Sequence, residues 1–459
     1  MKISTDGAEI SSAAGVKALV GAMEIPPAFK GGDTQTILAG MAGLLSQGKY
    51  DEALGLFDII NPEEANTTGI RLLKASVLSS ARRYTEGWAI VQEVISGEPN
   101  NLEALFMLAA VEGASGKEKE QRSILERIIK SDPRNTEALI SLGNIAFRAE
   151  SYRPAGAYFD RALAIEPENL DALLGRGLAY RYNRDSKKAE EFMSKAVDLY
   201  PNAAGPRHER ARLYKDIGNK AKALIDLDIA KGLDGGNYWI AVDRGSVLID
   251  LGRKQEALEE FRRASELNPN NFLAYVYSAG LKDDFGDYDG AEHDYEILAK
   301  LRPDYYFANE GLGIHRMRKG LWAGARDAFL EAYRYAPAES SYALLAAMNW
   351  MRAGRISDPR QFLEQALRKA KRDSLEWHML RLYHDLSGDN DLALKIDKEK
   401  IPENKARMLY YLANYYDIRG NKALADKYFL QVQSLDIMNA ILEWRLNEWA
   451  VEERGLKID

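Results

Sequence analysis

Seven prolines lie on one lattice with a period of 34 residues, and this spacing constrains the fold more than any other feature. They are Pro99, Pro133, Pro167, Pro201, Pro269, Pro303 and Pro337. The gap between Pro201 and Pro269 is twice 34 residues, and Gly235 holds the lattice position between them. Because proline and glycine both interrupt helices, the lattice predicts a chain built from identical units of one length.

Residue size also repeats at fixed distances from each lattice position. In the unit that follows Pro133, small residues stand at Gly143 and Ala155, and a large apolar residue stands at Phe159. The offsets 6, 10 and 13 fall on one face of a first helix, and the offsets 22, 26 and 29 fall on one face of a second helix. Small residues allow antiparallel helices to approach closely, and the large residue fills the space between them.

A glycine recurs where the two helices of a unit should be joined. The glycines at this place are Gly116, Gly218, Gly252, Gly286, Gly320 and Gly354. Glycine adopts the left-handed conformation that ends many helices, and the lattice proline then ends the second helix. Each unit is therefore predicted to be a helix–turn–helix pair, with no strand.

This pattern resembles the tetratricopeptide-repeat (TPR) family, in which W-x2-L-G-x2-Y…A-x3-F…P recurs every 34 residues. The best matches are LISLGNIAF…AGAYFDRALAIEP (139–167) and LLGRGLAYRY…AEEFMSKAVDLYP (173–201). The resemblance implies an all-α fold, a TPR helical-repeat solenoid in which antiparallel helix pairs form a right-handed superhelix.

Extension of the lattice in both directions predicts about twelve repeats in one continuous superhelix over residues 34–439. Residues 1–33 are polar, with Pro-Pro and Gly-Gly pairs, and are predicted to form a partly ordered N-terminal arm. Residues 440–459 are predicted to form a C-terminal capping helix that covers the last repeat. Its apolar side would carry Ile441, Leu442, Leu446 and Trp449.

The composition argues against catalysis and against bound metals. The chain has no cysteine, which excludes disulfides, thiolate metal sites and cysteine nucleophiles. Its five histidines form no HExxH motif, and the sequence has no Gly-rich phosphate loop and no GxSxG. No segment outside the repeats exceeds roughly 35 residues, too few to host an active site. We therefore predict a protein that is not an enzyme and that has no cofactor and no metal.

Charge and hydropathy restrict the partners and the compartment. The net charge of −7 disfavours nucleic acid as a partner, and no apolar run reaches the roughly 18 residues of a membrane span. The N-terminus lacks the pattern of a signal peptide, which predicts a cytoplasmic location. The alternative is a periplasmic or other extracytoplasmic location, if a leader has been removed. The sequence makes no prediction of the oligomeric state.

The resemblance implies that the first helix of each repeat lines a concave groove, at offsets of about 7, 11 and 14 from the lattice position. The predicted partner-binding residues are Leu72, Phe106, Ile140, Asn144, Phe147, Arg181, His208, Arg212 and Lys215. The same offsets in the C-terminal third hold Ile314, Leu344, Met348, Met351 and Leu382. The alternative for each of these residues is that it packs on a neighbouring repeat as part of the core.

The family resemblance predicts a non-catalytic scaffold or adaptor that binds a peptide or helix of a partner protein in this groove. The apolar N-terminal part of the groove suits an amphipathic helix or an apolar peptide. Asn144 follows Ile140 rather than the lysine of a carboxylate clamp, which disfavours the binding of chaperone tails by that mechanism. Two alternatives are a recruiting or regulatory part of a larger enzyme, and a part of a bacterial envelope, secretion or motility complex.

Overall fold

The computed structural model describes residues 32–435, 437 and 441–457. These residues form 26 α-helices and one 3-10 helix (Leu56–Ile59), and they contain no strand. The prediction of an all-α fold made of adjacent helix pairs is confirmed. Residues 1–31 of the predicted N-terminal arm lie outside the described residues, so the arm stays a prediction, as do the count of twelve repeats and their continuity.

The chain divides into an N-terminal unit that ends at Val247 and a C-terminal unit that begins at Leu248. The boundary falls within helix α14 (Tyr238–Asp250). The helices before it are α1 (Gly32–Ser46), α2 (Tyr50–Gly55), α3 (Pro62–Ala65), α4 (Thr68–Ser80), α5 (Tyr84–Gly97), α6 (Leu102–Ala114), α7 (Glu118–Ser131), α8 (Thr136–Arg148), α9 (Tyr152–Ile165), α10 (Leu170–Tyr182), α11 (Ser186–Leu199), α12 (Ala204–Asp216) and α13 (Lys220–Leu233).

The C-terminal unit continues the same alternation of first and second helices. Its helices are α15 (Lys254–Leu267), α16 (Phe272–Asp284), α17 (Tyr288–Leu301), α18 (Tyr306–Arg318), α19 (Trp322–Tyr335), α20 (Ser340–Arg352), α21 (Arg360–Lys369), α22 (Leu375–Asp385), α23 (Asp389–Asp397), α24 (Pro402–Ile418), α25 (Lys422–Gln433) and α26 (Leu442–Glu453). None of the described helices in either unit is long and apolar enough to cross a membrane.

The residues next to each lattice proline set the helix boundaries. Two residues after three of the prolines, an asparagine begins the first helix of the next repeat. The side chains of Asn101, Asn135 and Asn169 accept hydrogen bonds from backbone N–H groups at distances of 2.9, 3.0 and 3.1 Å. This capping satisfies a donor that a helix N-terminus leaves without a partner inside the helix. From α8 and α9 onwards the 13-residue first helix and 14-residue second helix alternate up to α20.

The turn between the helices of a pair adopts a left-handed backbone at every lattice step from Gly48 to Gly388. Glycine holds this place in most repeats, with φ between 69° and 95°. Arg82, Glu150 and Arg184 hold it in the other three, with φ of 61°, 55° and 63°. The predicted left-handed turns are therefore present, and three repeats make them without glycine.

The predicted packing of small residues against large ones is also present. A β-carbon built on Gly313 of α18 would lie 2.5 Å from the ring of Phe329 on α19, which is fully buried. The same construction at Gly177 of α10 gives 2.9 Å to Met193 on α11. Each pair of helices therefore approaches as closely as a missing side chain permits.

The C-terminal unit contains the largest hydrophobic cluster, and this cluster corrects one expectation. The residues predicted there to line a groove are buried inside it: Ile314, Leu344, Met348, Met351 and Leu382. Tyr410 and Tyr411 of α24 and Trp444 of α26 belong to the same cluster. Arg352 of α20 also donates a hydrogen bond of 2.6 Å to Asn414 of α24. These groove offsets are covered because later helices of the same chain pack on them.

Candidate functional site

The first helices of the N-terminal unit carry all nine residues predicted to bind a partner. We define the first-helix surface as the face formed by Phe106 on α6, Ile140, Asn144 and Phe147 on α8, Arg181 on α10, and His208, Arg212 and Lys215 on α12. Contacts between neighbouring first helices join most of these side chains into one surface, as the next paragraphs describe.

Leu72, on α4, does not belong to this surface. Its side chain is 1% exposed and lies in a core cluster with Ala75, Val91 and Val94. The preceding residue, Arg71, occupies the offset that holds a buried leucine in the next repeats. Arg71 pairs with Glu93 at 2.5 Å and stays partly exposed, so Leu72 fills the core position instead.

The apolar part of the surface ends in a cluster of three aromatic rings. The centroid of Phe147 lies 5.3 Å from that of Tyr152 on α9 and 5.2 Å from that of Tyr182 on α10. The two tyrosine rings stack at 5.0 Å, and Tyr182 is 41% exposed. Phe106 and Ile140 are half-buried. The surface therefore offers aromatic faces to an apolar side chain.

Sequence reasoning missed Tyr152 and Tyr182. Both stand next to a turn, outside the offsets 7, 11 and 14 that the family pattern assigns to the groove. A usable signal existed, because Tyr182 directly follows Arg181 at the end of a first helix. An aromatic residue at that place in one repeat reaches the end of the preceding first helix.

Asn144 provides the polar group closest in sequence to this cluster. Its side chain is half-buried, and no hydrogen bond joins its amide to another residue in the described part of the chain. An asparagine amide both donates and accepts, so it can pair with the backbone of a bound peptide.

Arg181 extends from α10 towards α12. Its Nε donates a hydrogen bond of 2.6 Å to Asp216, and its guanidinium lies 3.6 Å from Glu209. These contacts hold the arginine side chain, which is mostly buried, across the junction of two repeats. The guanidinium also lies 5.6 Å from the ring centroid of Tyr182, which connects the charged and aromatic parts of the surface.

Asp243 on α14 connects two of the predicted residues. His208 Nε2 lies 2.7 Å from its carboxylate, and Arg212 Nε donates to the same oxygen at 2.6 Å. Burial alone would raise the pKa of Asp243, but the hydrogen bond from His208 and the charge of Arg212 hold this pKa well below its ordinary value. His208 and Arg212 therefore join two repeats, and His208 is buried.

Lys215 differs from the other basic residues of the surface. Its ammonium donates a hydrogen bond of 2.6 Å to the hydroxyl of Ser246, and within the described ranges it makes no ion pair. Arg181 and Arg212 face three carboxylates, those of Glu209, Asp216 and Asp243. Lys215 is thus the basic group that this surface offers to a ligand carboxylate.

The comparisons with known proteins identify the repeat. Two family models described as tetratricopeptide repeat match the chain, one at residues 122–167, 140–204 and 281–342, and the other at residues 240–271. No curated protein has a sequence that matches this chain.

Several solved structures are similar to it. A tetratricopeptide-repeat protein from Parabacteroides merdae ATCC 43184 is 16% identical, with a TM-score of 0.44 over 53% of this chain and 96% of that one. Pseudomonas aeruginosa pilF is 20% identical, with a TM-score of 0.40 over 44% and 92%. YrrB, a TPR protein described as having an unusual peptide-binding site, is 19% identical, with a TM-score of 0.33 over 40% and 95%.

The family models match stretches of both units, and the helix pairs keep the same period where no model matches. Left-handed turns recur at every lattice step between Gly48 and Gly388 in support of this period. The chain therefore belongs to the tetratricopeptide-repeat family.

Proposed function

We propose that this protein is a non-catalytic interaction scaffold or adaptor, and that its first-helix surface binds a peptide or helix of a partner protein. The tetratricopeptide repeats themselves support the scaffold role, because stacked helix pairs create an extended surface suited to protein partners. The cytoplasmic location stays a prediction from the sequence.

One observation carries the choice of this surface: three kinds of ligand-binding group follow one another along α8, α10 and α12. The aromatic cluster around Phe147 comes first, the amide of Asn144 lies one helical turn before Phe147, and the ammonium of Lys215 comes two repeats later. An apolar side chain, a peptide backbone and a carboxylate are the groups that bind to these three.

The expected ligand is therefore a short segment with an apolar or aromatic residue and an acidic residue. The arginines of the surface are already paired with carboxylates, so they hold the repeats in register and leave recognition of an acidic group to Lys215. Mutual pairing of this kind also keeps the surface from attracting acidic partners indiscriminately.

A peptide-display selection on the intact chain tests the proposal. We expect the selected peptides to combine an apolar and an acidic residue, and to bind the double variant Asn144→Ala/Lys215→Ala at least about tenfold more weakly, which corresponds to about 1.4 kcal/mol. Lys187→Ala is the matched control, because Lys187 is an exposed lysine on second helix α11. Selected peptides that bind the double variant and the parent equally well would place the ligand elsewhere.

A further inference from the structure

Helix α26 makes two separate sets of contacts within the C-terminal unit. The first set joins it to the last helix pair, α24 and α25. Arg454, which follows α26, contacts Asp417 and Asp426 at 2.7 Å each, and the amide of Asn447 donates to the backbone carbonyl of Phe429 at 3.0 Å. A helix that covers the end of a repeat array needs contacts of this first set.

The second set joins α26 to helices much earlier in the chain, and a cap does not need it. Arg445 lies 3.5 Å from Asp283 of α16. The ring of Trp449 lies 6.1 Å from that of Tyr288, which begins α17, and the guanidinium of Arg318 on α18 lies 4.8 Å from Trp449. One short helix therefore contacts three consecutive helices that precede it by more than one hundred residues.

Glu443 fixes the register of α26 on this earlier part of the unit. Its carboxylate is 1% exposed, and it accepts hydrogen bonds from Ser341 of α20 at 2.6 Å and from Tyr411 of α24 at 2.8 Å. Arg407 lies 3.6 Å away. A buried carboxylate is tolerated only where its partners are in place, so this contact specifies one position of the helix.

The residues that receive α26 occupy the same repeat positions as the first-helix surface of the N-terminal unit. Asp283 stands 14 residues after its lattice proline, as Arg181 and Lys215 do after theirs. The C-terminal unit thus presents a carboxylate where the N-terminal unit presents a basic group. The helix that lies there offers the complementary charge, through Arg445, and an aromatic ring one turn later, through Trp449.

We propose that the first helices of the C-terminal unit form a helix-binding site and that α26 is its resident ligand. A partner helix with an arginine and a tryptophan four residues apart competes with α26 for Asp283, Tyr288 and Arg318. The contacts of this second set are suited to exchange, because Arg445 is 35% exposed and a partly exposed ion pair holds a helix only weakly. This proposal does not rest on the proposed function, which concerns the other unit.

The test uses the full chain and a labelled synthetic peptide that spans residues 441–457 of this sequence. The release variant is Arg445→Glu/Trp449→Ala, which changes the resident helix and leaves the receiving residues intact. The apparent dissociation constant varies inversely with the fraction of chains whose site is open. We expect the peptide to bind the release variant about tenfold or more tightly than the parent, with faster amide exchange over α26 in the variant.

Three controls make the result decisive. A peptide that carries the two substitutions itself should not bind the release variant. Glu453→Ala, an exposed position on the same helix, should leave exchange and peptide affinity unchanged. Arg445→Ala alone serves if the double variant fails to fold. Faster exchange without any gain in peptide affinity, or equal binding of the altered peptide, would show that α26 is a cap and not a ligand.

Discussion

The ring of Phe159 on α9 stands 2.7 Å from the place that a β-carbon would take on Gly143 of α8. Gly175 of α10 approaches the other side of the same ring, where an added β-carbon would lie 2.5 Å away. Phe159 is fully buried between the two glycines. One aromatic ring therefore sets the spacing between the first helices of two consecutive repeats.

This contact predicts opposite effects for two glycine-to-alanine substitutions. Gly143→Ala forces the Phe159 ring to move, and we expect it to lower the free energy of unfolding by about 1–3 kcal/mol. Gly280→Ala lies within a first helix with nothing within 4 Å, and we expect it to raise that free energy by about 0.5–1 kcal/mol, because alanine favours helix. Urea unfolding of both variants measures the difference; the same sign for both would contradict the packing.

The three left-handed turns without glycine predict that the natural sequence can be stabilised. Glu150 and Arg184 have φ of 55° and 63° where most repeats use glycine. A side chain in this conformation is strained by about 1 kcal/mol, partly offset because glycine also makes the unfolded chain more flexible. We expect Glu150→Gly and Arg184→Gly each to raise the melting temperature slightly. Gly218→Ala, at the same turn position with φ of 76°, should lower it; a lower value for all three would refute the strain.

Much of the fold could be predicted from the sequence because its determinants are local and periodic. A proline, a capping asparagine and a turn residue stand at fixed distances in every repeat, so helix boundaries follow from spacing alone. Leu72 shows where this reasoning fails: the charge of Arg71 at a core offset moves the next leucine into the core.

The position of α26 shows a second limit. Its apolar side predicts a helix that packs on a surface, but the pattern cannot specify which surface. The pairs Arg445–Asp283 and Glu443–Ser341 join residues more than one hundred positions apart, and no periodic signal relates them. The aromatic cluster was missed for a similar reason, because Tyr182 reaches Phe147 across two repeats.

Asp243 predicts a dependence of stability on pH. Its pKa in the folded protein lies below that of an unfolded aspartate, so the stability it contributes is complete above about pH 4 and is lost as the pH falls through the folded pKa. We expect Asp243→Asn to lower the free energy of unfolding at neutral pH by about 3 kcal/mol, since Arg212 and His208 lose their shared partner.

Urea unfolding of the Asp243→Asn variant and its parent across a range from neutral to acidic pH provides the measurement. The difference between the two should shrink once the pH drops below about 4. Asp58→Asn, at an exposed aspartate of the same unit, should stay within about 0.5 kcal/mol of the parent throughout. A difference for Asp243→Asn that does not change with pH would mean that the ion pair is not its source.

Phe147 and Phe159 lie on adjacent helices of one repeat, and their comparison separates binding from packing. Phe159 is fully buried, so Phe159→Ala should lower the free energy of unfolding by about 3–5 kcal/mol and leave peptide affinity of the folded protein unchanged. Phe147 is half-buried and contacts Tyr152 and Tyr182, so Phe147→Ala should lower it by about 1–2 kcal/mol. The same variant should weaken the peptides selected on the intact chain about tenfold or more, and Phe106→Ala with Phe147→Ala should abolish their capture. Chemical denaturation and fluorescence anisotropy, both at a temperature where all variants are folded, give the two quantities. If Phe147→Ala destabilises the chain as strongly as Phe159→Ala while peptide affinity is retained, Phe147 is part of the core and the first-helix surface does not bind through it.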